Sequence, residues 1–252
     1  MSQIKLPSLT VVGLGPGDPT LLTPQASQAL TQAQVIVGYP RYVELLDASL
    51  RLKKTILTTS MRQEKERCHL AIDAALKGQP TCLLASGDPG IYALAGLTIE
   101  LLEQRALLDS INLTIIPGVP ALCAAAALLG APLSHDFACV SLSDLLTPWS
   151  QIQKRLIAAL ACDFVLVLYN PRSKGRPDYL KYALDLASQY REPTCPIGLV
   201  RQAYRSKQTV INSTLQDFDV TQVDMLSIVI LGNTQSRKVG EFLVTPRGYH
   251  LT

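Results

Sequence analysis

Aromatic residues make up only 6% of this chain, with a single tryptophan. That shortage removes the stacking platform on which single-stranded nucleic acids are held. Long apolar runs are missing too: no stretch reaches the roughly 18 uninterrupted apolar residues of a membrane span. Charge of one sign is scarce. Lys and Arg number 23 against 20 Asp and Glu, a net charge of +3. General nucleic-acid binding needs a larger basic excess, so any recognition of an anion has to be local. The three histidines, His69, His135 and His250, are scattered without metal-ligand spacing, and no metal is expected. None of the six cysteines forms a C-x-x-C pair. Most sit among apolar neighbours and are expected to be small buried residues in a reducing compartment. Lys5 is followed by proline and polar residues, so no secretory leader is expected. These exclusions leave a soluble, cytoplasmic protein that binds neither nucleic acid nor membrane.

What is present is a large core. Apolar residues are 48% of 252, enough for one large α/β domain or two small ones. "LTVVGLG", "QVIVGY", "TCLLASG" and "NLTIIPG" read as strands. Helices follow, among them one opened by Thr23 and Pro24 as N-cap and first residue, and "QEKERCHLAIDAALKG", where Cys68, Ala71, Ile72, Ala75 and Leu76 repeat at helical spacing before Gly78. Strand-then-helix units predict a mainly parallel sheet covered on both faces. "PGVPALCAAAALLGAP" is apolar nearly all round, which predicts a helix buried on every side. Beyond it lie five short strands, "ACVSLSD", "FVLVLYN", "PIGLVRQ", "KQTVINS" and "LSIVILGN", with helices after only some. "TPWSQIQKRLIAALA" reads as a helix capped by Thr147 with Pro148 at its first position, and the third and fourth strands as an antiparallel pair. Two α/β domains are expected, residues 1–117 with a mainly parallel sheet and 118–252 with a mixed one.

Four strand-end segments carry candidate chemistry. "GLGPGDP" looks like a dinucleotide fingerprint but has G-x-G-x-G spacing, and Pro16 and Pro19 keep a helix from starting at the glycines. It is either a tight turn or a ligand loop. "LASGDPGIYALAG" places Gly87 where backbone can approach a ligand, and Asp88 where it can cap a helix, bind ribose or ammonium, or both. "PLSHDFACVSLSD" holds His135, Asp136 and Asp144. A His-Asp neighbour pair invites a general-base reading, and a plain structural turn is the alternative. The fourth is "YNPRSKGRP", where Arg172, Lys174 and Arg176 crowd one strand end braced by prolines. The bland reading is a solvated loop. A rigid loop of arginines, with Arg201, Arg205 and Lys207 after another strand, suits a polyanionic small molecule.

"VVGLGPGDPTLLT", "ASGDPGIYALAG" and "PGVPALCAAAALLGAPLSHDF" resemble, in order and setting, the tetrapyrrole (corrin and porphyrin) methylases. "GAPLSHDFACVSLSDLLTPW", "LYNPRSKGR", "LGNTQS" and "TPRGY" are most similar to the subgroup that methylates carbon 17 of precorrin-3B in cobalamin biosynthesis. The resemblance covers essentially the whole chain. It implies two α/β domains with S-adenosylmethionine in a cleft between them, and a homodimer. Matched by motif, the cofactor contacts would be Pro16, Ser86, Gly87, Asp88, Ile91, Pro120 and Ala121, joined by Asn170 and Ala203. Arg172, Lys174 and Arg176 would hold substrate carboxylates. The resemblance also implies ring contraction, for which Asp18, His135 and Asp144 are the candidates to take the proton. A relative's proposed base, an Asp in a Tyr-Asp-Arg run, has no counterpart here, because the run reads Tyr39-Pro40-Arg41. Alternatives are the cobalt-containing version of the substrate, another corrin carbon, a tetrapyrrole carrier without turnover, and a nucleotide-dependent dehydrogenase.

Overall fold

The protein is seen here as a computed structural model, which describes residues 6–173, 175–176 and 178–250. The chain divides into two compact units, one ending at Ala121 and the other beginning at Leu122.

The first unit holds β1 (Ser8–Gly13), α1 (Pro24–Gln32), β2 (Val35–Gly38), α2 (Pro40–Val43), α3 (Ala48–Arg51) and β3 (Thr55–Thr58). It continues with α4 (Glu64–Leu76), β4 (Thr81–Ala85), α5 (Ala95–Gln104) and β5 (Asn112–Ile116). Its five strands lie in the order β3-β2-β4-β1-β5, every neighbouring pair parallel. Because side chains alternate along a strand, neighbours on one strand feed opposite faces. Val11, Val37 and Leu83 join the cluster under α4 and α5. Val12, Ile36 and Leu84 join the cluster under α1. Such two-sided burial is why these strands read as unbroken apolar runs. Thr23 caps α1 as its sequence predicts, accepting a bond from the Ala26 N–H at 3.1 Å. β3 is not announced by the sequence: it is an edge strand whose Ile56 and Leu57 are only half covered.

The second unit begins in α6 (Ala121–Leu129) and β6 (Gly130–Ala131), then β7 (Phe137–Ser141), α7 (Trp149–Ala161), β8 (Val165–Tyr169) and α8 (Tyr179–Ala187). β9 (Pro196–Arg201), β10 (Thr209–Thr214), β11 (Ser227–Leu231), β12 (Arg237–Val239) and β13 (Phe242–Val244) complete it. The five expected strands form one mixed sheet, β10-β9-β11-β8-β7. Only β7 and β8 run parallel. A small sheet, β12-β13-β6, was not legible in the sequence, because its strands are two or three residues long.

Four local expectations need correction. α6 is not buried on every side: Leu122, Ala124, Ala125 and Leu129 are buried, while Cys123 and Ala127 are exposed. α7 is not capped by Thr147. Pro148 holds the cap position without any side-chain bond, and its carbonyl accepts from the Gln151 N–H at 2.9 Å. Only Cys68, Cys82 and Cys195 are buried, whereas Cys123 and Cys162 are exposed. Burial pushes the Cys82 thiol up to about 12. In α4, likewise, Leu76 lies outside the buried stripe and Arg67 lies within it.

α6 reaches the mixed sheet at one close contact. A Cβ on Gly198, in the middle of β9, would stand 2.5 Å from Leu129 Cδ1. Gly198→Ala should destabilise by about 1–3 kcal/mol through overpacking, and Leu129→Ala by about 2–5 kcal/mol through a cavity. The double variant should cost clearly less than the sum, since each change relieves the other. Urea unfolding of all four proteins measures this, and strict additivity would refute the contact.

Candidate functional site

In open parallel sheets, ligands bind beyond the carboxyl ends of the strands. In the first unit three such ends meet main chain to main chain. Gly15 N–H donates to the Gly87 carbonyl at 3.1 Å, and Gly87 N–H returns the bond to Gly15 at 2.8 Å. Gly15 and Gly87 have φ of 65° and 67°, a region costly for residues with a Cβ. Gly118, after β5, closes the junction: a Cβ on Gly13 would stand 2.5 Å from Gly118 N, and one on Gly118 would run into the Gly87 carbonyl. Asp88 does not cap α5. Its Oδ1 accepts from Gly90 N–H at 2.8 Å and its Oδ2 from Gly118 N–H at 3.2 Å, so one carboxylate ties the β4 loop to the β5 loop. Pro16, Ser86, Gly87 and Asp88 therefore share one junction. Pro120 and Ala121 approach it, since a Cβ on Gly87 would meet Pro120 Cα at 3.6 Å and Ala121 N at 3.5 Å. Ile91 follows in the same loop, half-buried, beside Tyr92 with φ 51°.

The second unit also gathers its loops at one sheet end, as the register requires. Ser141 pairs with Tyr169 and Ser227 with Arg201. The loops after β7, β8 and β9 and the approach to β11 thus emerge together. Asn170 is left-handed (φ 49°) and its Nδ2 donates to Ser141 Oγ at 2.9 Å. Ala203 lies between Gln202 and Tyr204, which are both left-handed (φ 50° and 55°). Backbone of this kind at non-glycine positions costs about 1–3 kcal/mol each and concentrates at functional sites.

The basic loop is neither a solvated surface nor an open cage of cations. Arg176 is a brace. Its Nη1 donates to the Leu142 carbonyl at 2.7 Å, its Nη2 lies 3.8 Å from Met225 Sδ, and its Nε is 3.6 Å from Asp144 Oδ1. With all three nitrogens engaged and its side chain only 10% exposed, it is not placed to take a ligand carboxylate. Arg172 is half committed: its Nη1 donates to the carbonyls of Val220 (3.0 Å) and Thr221 (3.3 Å). Its Nε and Nη2 have no bond among the described residues. Lys174 lies outside the described residues. Arg201 is also spoken for, 2.6 Å from Asp224 Oδ2.

Of the three proton-accepting candidates, His135 and Asp144 of the second unit are not brought together. Asp18 accepts from the Thr20 hydroxyl at 2.7 Å and the Thr20 N–H at 2.8 Å. These bonds hold its carboxyl below the usual range, which makes it a weaker base. His135 precedes β7 and Asp144 follows it, so about 16 Å of strand separates them. His135 is exposed, its Nδ1 accepting from the Asp136 N–H at 2.8 Å. Asp144 shares the sheet end with the basic loop and accepts from the Tyr179 hydroxyl at 2.7 Å.

Two features escaped the sequence. Arg67, in the first turn of α4, is 4% exposed, and its guanidinium lies 5.8 Å from the centre of the Tyr39 ring. It donates to the Ser60 carbonyl at 2.9 Å. An aromatic ring and a buried cation thus stand beside Pro40. The other feature is the set of left-handed residues, which no residue type marks.

A family model for the tetrapyrrole (corrin/porphyrin) methylases matches residues 8–219. A probable cobalt-factor III C(17)-methyltransferase of Salmonella typhimurium is 45% identical over 243 residues, 96% of this chain and 100% of that protein. The crystal structure of the methyltransferase CobJ matches with a TM-score of 0.90 at 38% identity, over 94% of this chain and 99% of the other. A uroporphyrin-III C-methyl transferase from Thermus thermophilus, complexed with S-adenyl homocysteine, matches with a TM-score of 0.68 at 26% identity, over 89% and 97%.

Asp88→Ala should lower stability, because two loop N–H groups lose a charged acceptor. Hydrogen bonds to charged groups contribute about 1.5–3 kcal/mol, and partial exposure puts Asp88 at the lower end. Asp88→Asn, which keeps one acceptor oxygen, should fall between. An unchanged unfolding midpoint in both variants would show that the carboxylate does not hold the junction.

Proposed function

The chain belongs to the tetrapyrrole (corrin/porphyrin) methylases, and from that premise we propose that it transfers the methyl group of S-adenosylmethionine to carbon 17 of a precorrin-3B-type tetrapyrrole in cobalamin biosynthesis. The observation that carries this reading is the junction of Gly13, Gly15, Gly87 and Gly118. There the main chain itself is the surface that a ligand meets. Gly87 is left-handed there (φ 67°), and Pro120 and Ala121 lie within ordinary contact of where a Cβ would stand. A dinucleotide would instead require a helix N-terminus at the glycines, and α1 starts only at Pro24.

On this reading Pro16, Ser86, Gly87, Asp88, Ile91, Pro120 and Ala121 hold the cofactor in the first unit, and Asn170 and Ala203 contribute from the second. S-adenosylmethionine supplies an electrophilic methyl on a sulfonium. The carbon–sulfur bond breaks as the carbon–carbon bond forms, and its electron pair stays on sulfur. The protein's own contribution is position. Holding both reactants at attack distance is worth on the order of 7–11 kcal/mol. The strained, hydrogen-bonded loops suit that task, because a loop with few alternative conformations loses little order when it binds. Arg172 meets a substrate carboxylate with the guanidinium edge that the Val220 and Thr221 carbonyls leave open. The Salmonella relative's name favours the cobalt-containing substrate over the metal-free one.

Calorimetry should show S-adenosylhomocysteine binding and no heat from NAD. Incubation with S-adenosylmethionine and either cobalt-factor III or metal-free precorrin-3B should yield a singly methylated product with at least one of them. Binding of NAD, or methylation of neither tetrapyrrole, would overturn the reading.

We further propose a homodimer in the cytoplasm. No helix among the described residues is long and apolar enough to cross a membrane. Leu108, Ile115 and Ile99 of the first unit are 50%, 41% and 41% exposed and offer an apolar contact surface. Light scattering at micromolar concentration should give twice the chain mass of 27.4 kDa, and a monomer would refute the assembly.

A further inference from the structure

In the loop from Leu142 to Pro148, between β7 and α7, Leu142 is buried in the core while Leu145 and Leu146 stand outward. Leu145 is 62% exposed and Leu146 is 99% exposed, more than any other large apolar residue described. An isolated exposed leucine is ordinary. This pair is set apart by the fastening around it. On one side, Leu142 N–H donates to the Tyr169 carbonyl at 2.9 Å, and the Leu142 carbonyl accepts from Arg176 at 2.7 Å. Asp144 is held by the Tyr179 hydroxyl at 2.7 Å and by Arg176 at 3.6 Å. On the other side, Trp149 opens α7 and stacks on Tyr179, with ring centroids 3.9 Å apart and planes 12° apart. Two leucines are thus presented to solvent by a loop clamped at both ends.

Their surroundings combine apolar side chains with a cation. Arg176 links Asp144 to Met225, which is 44% exposed and followed by Leu226 at 39%. Beside them Arg172 keeps part of its guanidinium open. Exposed apolar side chains flanked by a cation complement a molecule with an apolar face and an anionic rim. A flat tetrapyrrole bearing peripheral carboxylates is such a molecule.

We propose that Leu145 and Leu146 press on one face of the tetrapyrrole macrocycle and position it for methylation, with Arg176, Asp144 and Tyr179 as the positioning residues that hold the leucines out. This rests on the methyltransferase reading above and adds to it the residues that grip the substrate's apolar face. Neither leucine belongs to the buried core cluster of the second unit, so their removal separates substrate grip from folding.

The test uses the full chain and its only tryptophan, Trp149, beside the loop. Cobalt-factor III absorbs in the region of tryptophan emission, so its binding is read as quenching. The Leu145→Ser, Leu146→Ser double variant should bind cobalt-factor III about tenfold or more weakly than the wild type, the loss expected when two leucines no longer leave water. Its affinity for S-adenosylhomocysteine and its unfolding midpoint should be unchanged. A Leu145→Met, Leu146→Met variant should restore tetrapyrrole affinity. Equal tetrapyrrole affinity in the serine variant and the wild type would overturn the role of the leucines and leave the methyltransferase reading standing. Failure of the wild type itself to bind cobalt-factor III and metal-free precorrin-3B would overturn that reading, and the clamp with it.

Discussion

The paired hydrogen bonds between Gly15 and Gly87 are the constraint around which the first unit is arranged. They bring two strand-end loops together at the main chain, with both glycines in a left-handed conformation that favours residues without a Cβ. They also require the right strand order. β1 lies between β4 and β5, so its loop can meet both neighbours. Gly118 then fits against Gly13 and the Gly87 carbonyl, and Asp88 secures the third loop. A ligand arriving there meets peptide groups on a rigid floor, with few side chains to rearrange. Preorganisation of this kind suits a reaction whose barrier falls mainly through placement.

The second unit solves the same problem with side chains. Its loops leave a mixed sheet, no glycine junction joins them among the described residues, and long polar residues tie them down instead. Arg176 spans the β7 loop and the segment before β11, and Arg172 reaches the Val220 and Thr221 carbonyls. At the opposite end of the sheet the buried Arg191 does comparable work. It donates to the carbonyls of Leu160 and Phe164 and pairs with Asp163 at 3.1 Å. Carbonyl oxygens are good partners for guanidinium groups, because several donors in a fixed plane can satisfy several loops at once. A dense cluster of cations at a strand end is therefore partly a scaffold. Of the two described arginines of that loop, Arg172 is the one whose fork is only half used.

That division of labour explains why the strand-end loops were easier to locate than to interpret. Glycine and proline at the ends of apolar runs mark loops by residue type alone, and the structure brings Pro16, Ser86, Gly87 and Asp88 together there. Arg172 and Arg176 look equivalent in sequence and differ only in what lies across from them. His135 and Asp144, nine positions apart in one motif, fall at opposite ends of β7 because a strand carries the chain away in a straight line.

The sequence by itself determined the two α/β units, the parallel character of the first sheet, the antiparallel pairing of β9 with β10, the cap of α1 and the family. All of these rest on local signals: periodicity, turn residues and motifs read along the chain. Tertiary structure alone decided which cations brace and which remain open, that Arg67 lies against Tyr39, that one face of α6 is exposed, and that β3 and the β12-β13-β6 sheet exist. Each of these depends on partners distant in sequence. Whether an arginine finds a carbonyl, or a short strand finds an edge, is set by the three-dimensional neighbourhood and not by the residue's own type.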